Sequence, residues 1–188
     1  MSNSHVSIRS ICVYCGSQNG TSQHFRTAAQ TLGKMIGENN LNLVYGGGTR
    51  GIMGIVAQNA LDAGAHVTGI IPQFLLDKEA TEDGLKHLSE VIVTDNMHDR
   101  KRQMFEKSDA FVTLPGGIGT LEELVEMMTW AQLGRHQKPI VIANVDNFWQ
   151  PLEDLFSHMT EFGFIHTQHL VKPMIIDDVE DIIPKLLA

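Results

Sequence analysis

The chain alternates short β-rich apolar runs with stretches in which apolar residues recur every three or four positions. The runs SIRSICVYCG, LNLVYGGG, AHVTGII, EVIVTD, AFVTLP, KPIVIAN and MIID are rich in valine and isoleucine and are bounded by turn formers, the signature of strands. Over 22–38, Phe25, Ala28, Ala29, Leu32, Met35 and Ile36 share one face of a predicted helix. Further helices are predicted over 51–64, with Gly64 as the C-cap, over 97–108, 121–133 and 148–162, and after Asp178. Strands alternating with helices require crossover connections. The expected fold is therefore α/β, a doubly wound, Rossmann-like, mostly parallel sheet with helices on both faces. Such sheets bind ligands at the carboxyl ends of their strands. The stretch 72–89, charged and glycine-containing, reads as an irregular excursion of the length used for lids. No repeat or linker interrupts the pattern, so residues 1–188 are expected to form one domain.

Two strand ends carry glycine clusters, Tyr45-Gly46-Gly47-Gly48-Thr49 and Pro115-Gly116-Gly117-Ile118-Gly119-Thr120. Glycines there let successive N–H groups approach one anion, and the helix that follows adds unpaired donors and partial positive charge. Tight strand-to-helix turns also need glycine for purely local reasons. Two clusters at strand ends expected to be neighbours favour the anion. Neither cluster is followed by G-K-[ST], and neither reads G-x-G-x-x-G with an acidic ribose partner, so a monophosphate fits better than a triphosphate or a dinucleotide.

In the predicted helix 97–108, at ~100° per residue, Arg100 and Lys101 project into the sector of Met97, Met104 and Phe105. Cations on the inward side of a first helical turn lose hydration and meet the positive end of the helix dipole. Either they snorkel to the rim, or an anion, a ligand phosphate or a carboxylate, meets them. Glu123 stands at capping-box spacing from Thr120, which makes it a cap partner or a catalytic carboxylate. Leu121, Leu124, Val125 and Met128 form a stripe expected to face the sheet. Glu123, Met127 and Trp130 form the opposite one, expected to face a partner subunit.

Composition narrows the partners. The formal net charge of -8 argues against a polymeric nucleic acid. No apolar run approaches the ~20 residues of a membrane span, and MSNSHVSIRS lacks a signal-peptide core, so a cytoplasmic protein is expected. Cys12 and Cys15 have redox-motif spacing but lie three apart in a strand, on opposite faces, and read as buried thiols. His166-x-x-His169 is a weak metal signal, and neither a metal nor an organic cofactor is expected.

The segment LPGGIGTLEELVEMMTWAQLG contains P-G-G-x-G-T-x-x-E, and with CVYCGSQNG, VYGGGTRGIMG, GIIPQFLLDKEA, MHDRKRQMFEKSDAFVTLPGG and KPIVIANVDNFWQPL it resembles the Lonely Guy family of cytokinin-activating phosphoribohydrolases. Members have also carried the label lysine decarboxylase, although this chain shows no pyridoxal-lysine motif. The resemblance spans nearly the whole chain and is looser after Glu79. It implies hydrolysis of the N-glycosidic bond of N6-modified adenosine monophosphates, or of AMP, to free base and ribose 5-phosphate. It further implies a catalytic pair, Arg100 and Glu123, and a phosphate cradle of Gly116, Gly117, Gly119 and Thr120. Ser17, Gly47, Gly48, Glu79, Met97 and Lys101 would complete the pocket of a homodimer. A non-catalytic nucleotide or cofactor carrier on the same fold is the alternative from another class.

Overall fold

The computed structural model describes residues 7–165 and 173–188. Seven strands form one sheet: β1 (Ser10–Tyr14), β2 (Asn42–Tyr45), β3 (Val67–Pro72), β4 (Glu90–Thr94), β5 (Ala110–Thr113), β6 (Ile140–Ala143) and β7 (Met174–Ile176). They lie in the order β4-β3-β2-β1-β5-β6-β7, and every neighbouring pair is parallel. The order reverses between β1 and β5, so the crevice that doubly wound sheets use for ligands opens beyond Tyr14 and Thr113, which are paired in register. The two glycine clusters follow β2 and β5. They are not at neighbouring strand ends as expected from sequence, because β1 runs between them.

Among the described residues there are eight α-helices, seven between strands and the last after β7: α1 (Gln23–Glu38), α2 (Gly51–Asp62), α3 (Leu76–Glu79), α4 (Glu82–Lys86), α5 (Met97–Glu106), α6 (Ile118–Gln132), α7 (Gln150–Glu161) and α8 (Ile182–Leu187). Local chemistry sets several of their ends. Ser22 accepts from the His24 amide and starts α1, and Asn96 accepts from the Asp99 amide and starts α5. Gly64 follows α2 at φ 88°, the left-handed position that ends helices, and its amide returns to the Leu61 carbonyl. The stretch 72–89, read as irregular, is largely helical: a 3-10 turn over Gln73–Leu75 and then α3 and α4. These helices have four and five residues, too few for a periodicity to show.

Strand alternation divides the core into two layers. Ile11, Val13, Cys15, Leu43 and Tyr45 pack under α1, α2 and α8, whereas Cys12, Tyr14, Val44 and Phe111 pack under Met104 of α5 and Leu124 and Met127 of α6. Cys12 and Cys15 thus lie on opposite faces, both buried and free, and burial pushes both thiols well above their ordinary range. No described helix is long and apolar enough to cross a membrane.

Candidate active site

A cavity of about 240 Å³ opens at the strand-order reversal. Its walls come from the ends of β1 and β2 and from the starts of α2, α5 and α6, with Glu79 of α3. Of the residues singled out from sequence, Ser17, Glu79, Met97, Arg100, Gly117, Gly119, Thr120 and Glu123 line it. Gly47, Gly48, Lys101 and Gly116 are not among the residues that line it. Tyr14, Gly16, Gly46, Met53 and Glu122 also line it. Nothing local marks Tyr14 or Met53 as special, but the position of Gly16, at the end of the strand beside the reversal, is a signal that topology supplies.

One end of the cavity is the start of α6. Its N-cap is Gly117, and no side chain caps it. The first intrahelical bond runs from the Leu121 amide to the Gly117 carbonyl, so the amides of Ile118, Gly119 and Thr120 have no partner within the helix. Three free donors and the positive end of a 15-residue helix make an anion seat. Gly116 shapes that seat from behind. A β-carbon there would lie 2.1 Å from Thr120 Oγ1, so only glycine lets the turn fold under the Thr120 hydroxyl.

Glu123 occupies the wall beyond this seat. The capping-box alternative fails, because the helix begins three residues earlier than predicted and Thr120 is its third residue rather than its cap. The stripe expectation is corrected as well: Glu123 and Met127, expected to face a partner subunit, are buried within the chain, while Leu124 is buried as expected. Glu123, Leu124, Met127 and Ala131 are the buried side of α6, while Val125 is 40% exposed and Leu121 and Met128 are half-buried. Both stripes are apolar apart from Glu123, so composition alone could not tell them apart. Only 8% of Glu123 is exposed, and burial pushes its carboxyl up to about 7 against the pull of Arg100; Glu122 and Glu79 push the same way as burial.

Arg100 is 5% exposed and lies on the inward side of α5. Its Nε donates to the Ile70 carbonyl (3.1 Å) and its Nη2 to the Gly46 carbonyl (2.9 Å). Backbone acceptors at the ends of β3 and β2, not an anion, thus fix the guanidinium, with Glu79 Oε2 4.0 Å from Nη2. Its Nη1 donates to Met97 Sδ at 3.9 Å, and the donors that remain are left over for a ligand. Lys101, expected to share this setting, turns instead to Glu122 and, at 3.1 Å, to Glu126, both on α6. Burial works against its charge, but those two bonds raise its pKa. It buttresses α6 from outside the cavity.

A second hollow of about 400 Å³ is lined by Thr27, Thr31, Asp177, Asp178 and Glu180. It carries three carboxylates and no cation, so it repels the anion that the α6 end attracts. Among the described residues no group of three or more histidine, cysteine or acidic side chains is placed to hold a metal ion. His166 and His169 lie outside the described residues.

The fold and this cavity define a class: Rossmann-like α/β proteins with an anion seat and a guanidinium–carboxylate pair at the strand-order reversal. Solved structures share the fold. A molybdenum cofactor binding protein from Rippkaea orientalis matches with a TM-score of 0.71 at 21% identity, covering 96% of each chain. A Moco carrier protein from Chlamydomonas reinhardtii matches with a TM-score of 0.69 at 21% identity, covering 95% of each. The family model described as "Possible lysine decarboxylase" matches residues 53–186. A cytokinin riboside 5'-monophosphate phosphoribohydrolase of Arabidopsis thaliana is 47% identical over 157 residues, 84% of this chain and 72% of that protein. A probable enzyme of the same name from Oryza sativa subsp. japonica is 44% identical over 179 residues, 95% of this chain and 76% of its own. The chain belongs to the family of cytokinin riboside 5'-monophosphate phosphoribohydrolases.

Proposed function

We infer that this chain hydrolyses the N-glycosidic bond of adenosine 5'-monophosphates, N6-modified ones included, releasing the base and ribose 5-phosphate. The observation that carries the reading is Glu123, a buried carboxylate facing a small cavity beside a fixed guanidinium, with an uncapped helix start on the same wall. The amides at the start of α6, with Gly117, Gly119 and Thr120 around them, take the 5'-phosphate. Remote binding energy from that grip holds the reacting bond in place.

Cleavage of a ribosyl C–N bond builds positive charge on the sugar, as in glycoside hydrolysis. Ionised Glu123 stabilises that charge or takes a proton from the attacking water. Either role needs the carboxylate form, and a carboxyl that titrates near neutrality suits both holding and accepting a proton. Arg100 orients the nucleotide and offsets negative charge on the departing purine. Glu79 has a buried oxygen, Oε2, with no hydrogen-bond partner. An acceptor-only group in that state requires donors, and ribose hydroxyls supply them.

The active form is a homodimer. The outward side of α6 supports this, with Ile118 82% and Leu133 70% exposed alongside Val125. The reaction belongs in the cytoplasm, where buried free thiols such as Cys12 and Cys15 persist without pairing. The test is incubation of the purified protein with AMP and with N6-isopentenyl-AMP. Release of free base and ribose 5-phosphate is expected. Tight binding of the nucleotide with no base released would reject hydrolysis in favour of a carrier.

A further inference from the structure

The glycine cluster after β2 makes contacts beyond the cavity. Gly47 and Gly48 do not reach the cavity, and only Gly46 does. The cluster ends in Thr49, which grips the chain on both sides of Ala80. The Thr49 amide donates to the Glu79 carbonyl (2.9 Å), and Thr49 Oγ1 accepts from the Thr81 amide (2.8 Å). The Thr49 and Thr81 hydroxyl oxygens lie 3.3 Å apart, and Thr81 Oγ1 in turn caps α4 through the Gly84 amide. Gly84 is placed for this approach: a β-carbon there would lie 2.6 Å from Thr49 Cγ2. The same cluster supplies the Gly46 carbonyl that holds Arg100, whose Nη2 is 4.0 Å from Glu79.

We propose that Thr49 is a positioning residue for the reaction, its hydroxyl fixing the 79–81 segment so that the Glu79 carboxylate stays over the ribose of the bound nucleotide. The reasoning is one of leverage. Glu79 is the last residue of a four-residue helix that cannot hold itself in place. Its carboxylate has a buried oxygen, Oε2, with no hydrogen-bond partner, and the Arg100 guanidinium stands 4.0 Å away, beyond hydrogen-bond reach. The two bonds to Thr49, at the Glu79 carbonyl and the Thr81 amide, hold the chain immediately after the Glu79 side chain and tie it to the turn that follows a central strand. That glycine turn thereby aligns two cavity side chains, Arg100 and Glu79. The proposal rests on the phosphoribohydrolase reading, in which the ribose lies beside Glu79.

The test compares kcat/KM for AMP and for 2'-deoxy-AMP in the wild type, Thr49→Val, Thr49→Ser and Glu79→Gln. Thr49→Val is expected to cut the preference for the ribonucleotide by about 10-fold, a loss near 1.4 kcal/mol. Glu79→Gln should cut it comparably, the double variant little further, and Thr49→Ser should restore it. Gly84→Ala, which presses on Thr49 without removing its hydroxyl, should move the ratio in the same direction. That variant serves should Thr49→Val fail to fold. An unchanged ratio in Thr49→Val or Gly84→Ala, or equal losses on both nucleotides, would overturn the proposal. A wild type that releases no base from either nucleotide would instead sink the functional reading beneath it.

Discussion

Chemistry at the residue scale is concentrated in Glu123. Its carboxyl is raised from 4.5 to about 7, chiefly by burial, so the folded protein holds that proton more tightly than the unfolded chain does. Ionising it therefore opposes folding, and its contribution to stability is fullest below about 4.5 and is lost as the pH rises through about 7. Glu123→Gln should remove this dependence, giving a Tm gain over the wild type that is larger at pH 8 than at pH 5. Equal gains at both would contradict the assignment. Catalysis runs the other way, since the ionised form is the working one: kcat/KM should climb as the pH approaches 7 and then level, and Glu123→Gln should flatten and lower the profile. Glu123→Ala should reduce turnover by at least ~10² while nucleotide still binds, the loss expected for a group that acts in the transition state. Near-wild-type turnover would remove Glu123 from the mechanism. Motif spacing identified this residue as a candidate, but spacing could not decide between a helix cap and a cavity wall. That depended on where α6 starts, a matter of three residues.

Helices and turns divide the labour between holding the fold and holding the ligand, and the glycines show which is which. Gly117 sits at φ -97°, ψ -156°, a backbone open to other residues, and a β-carbon there would meet nothing within 4 Å. Gly117→Ala should therefore leave the Tm within ~2 °C, in the range of harmless surface changes. Its methyl would nonetheless intrude where the phosphate approaches, and KM for AMP should rise by roughly 10-fold. Thermal scans and initial rates on one preparation settle both halves. Gly33 is the opposite case. It lies where α1 crosses α2, and a β-carbon there would sit 2.4 Å from the Val56 carbonyl oxygen. Gly33→Ala should cost roughly 1–3 kcal/mol by overpacking, lowering the Tm by several degrees with little change in KM. Equal stability would mean that the crossing yields more easily than its spacing implies. In sequence these glycines look alike, one inside a helix and one in a turn. Their roles are set by what stands across from them, which no local window contains.

Across the whole molecule, the sheet delivers residues from distant parts of the chain to one crevice, and the outward side of α6 gives it a surface to share. If two copies meet there, sedimentation should show the mass of a pair, and Val125→Glu should yield single chains, because a charge buried at the contact loses its hydration. A pair that persists in that variant would place the contact elsewhere. The alternation of strand-like and helix-like periods was enough to determine the α/β class, the parallel sheet and the strand ends at which the cavity opens, because period and turn chemistry are local properties that dominate short elements. The motif P-G-G-x-G-T-x-x-E likewise made the glycine turn before α6 and Glu123 legible. Tertiary structure alone decided that β1 separates the two glycine turns, that α6 turns its Glu123 side inward, and that the turn after β2 lines the cavity through Gly46 alone of its three glycines. It also decided that Arg100 is met by carbonyls while Lys101 turns to Glu122 and Glu126. Each of these depends on which of two similar surfaces meets which partner. That choice follows from packing between residues tens of positions apart, where the sequence pattern is silent.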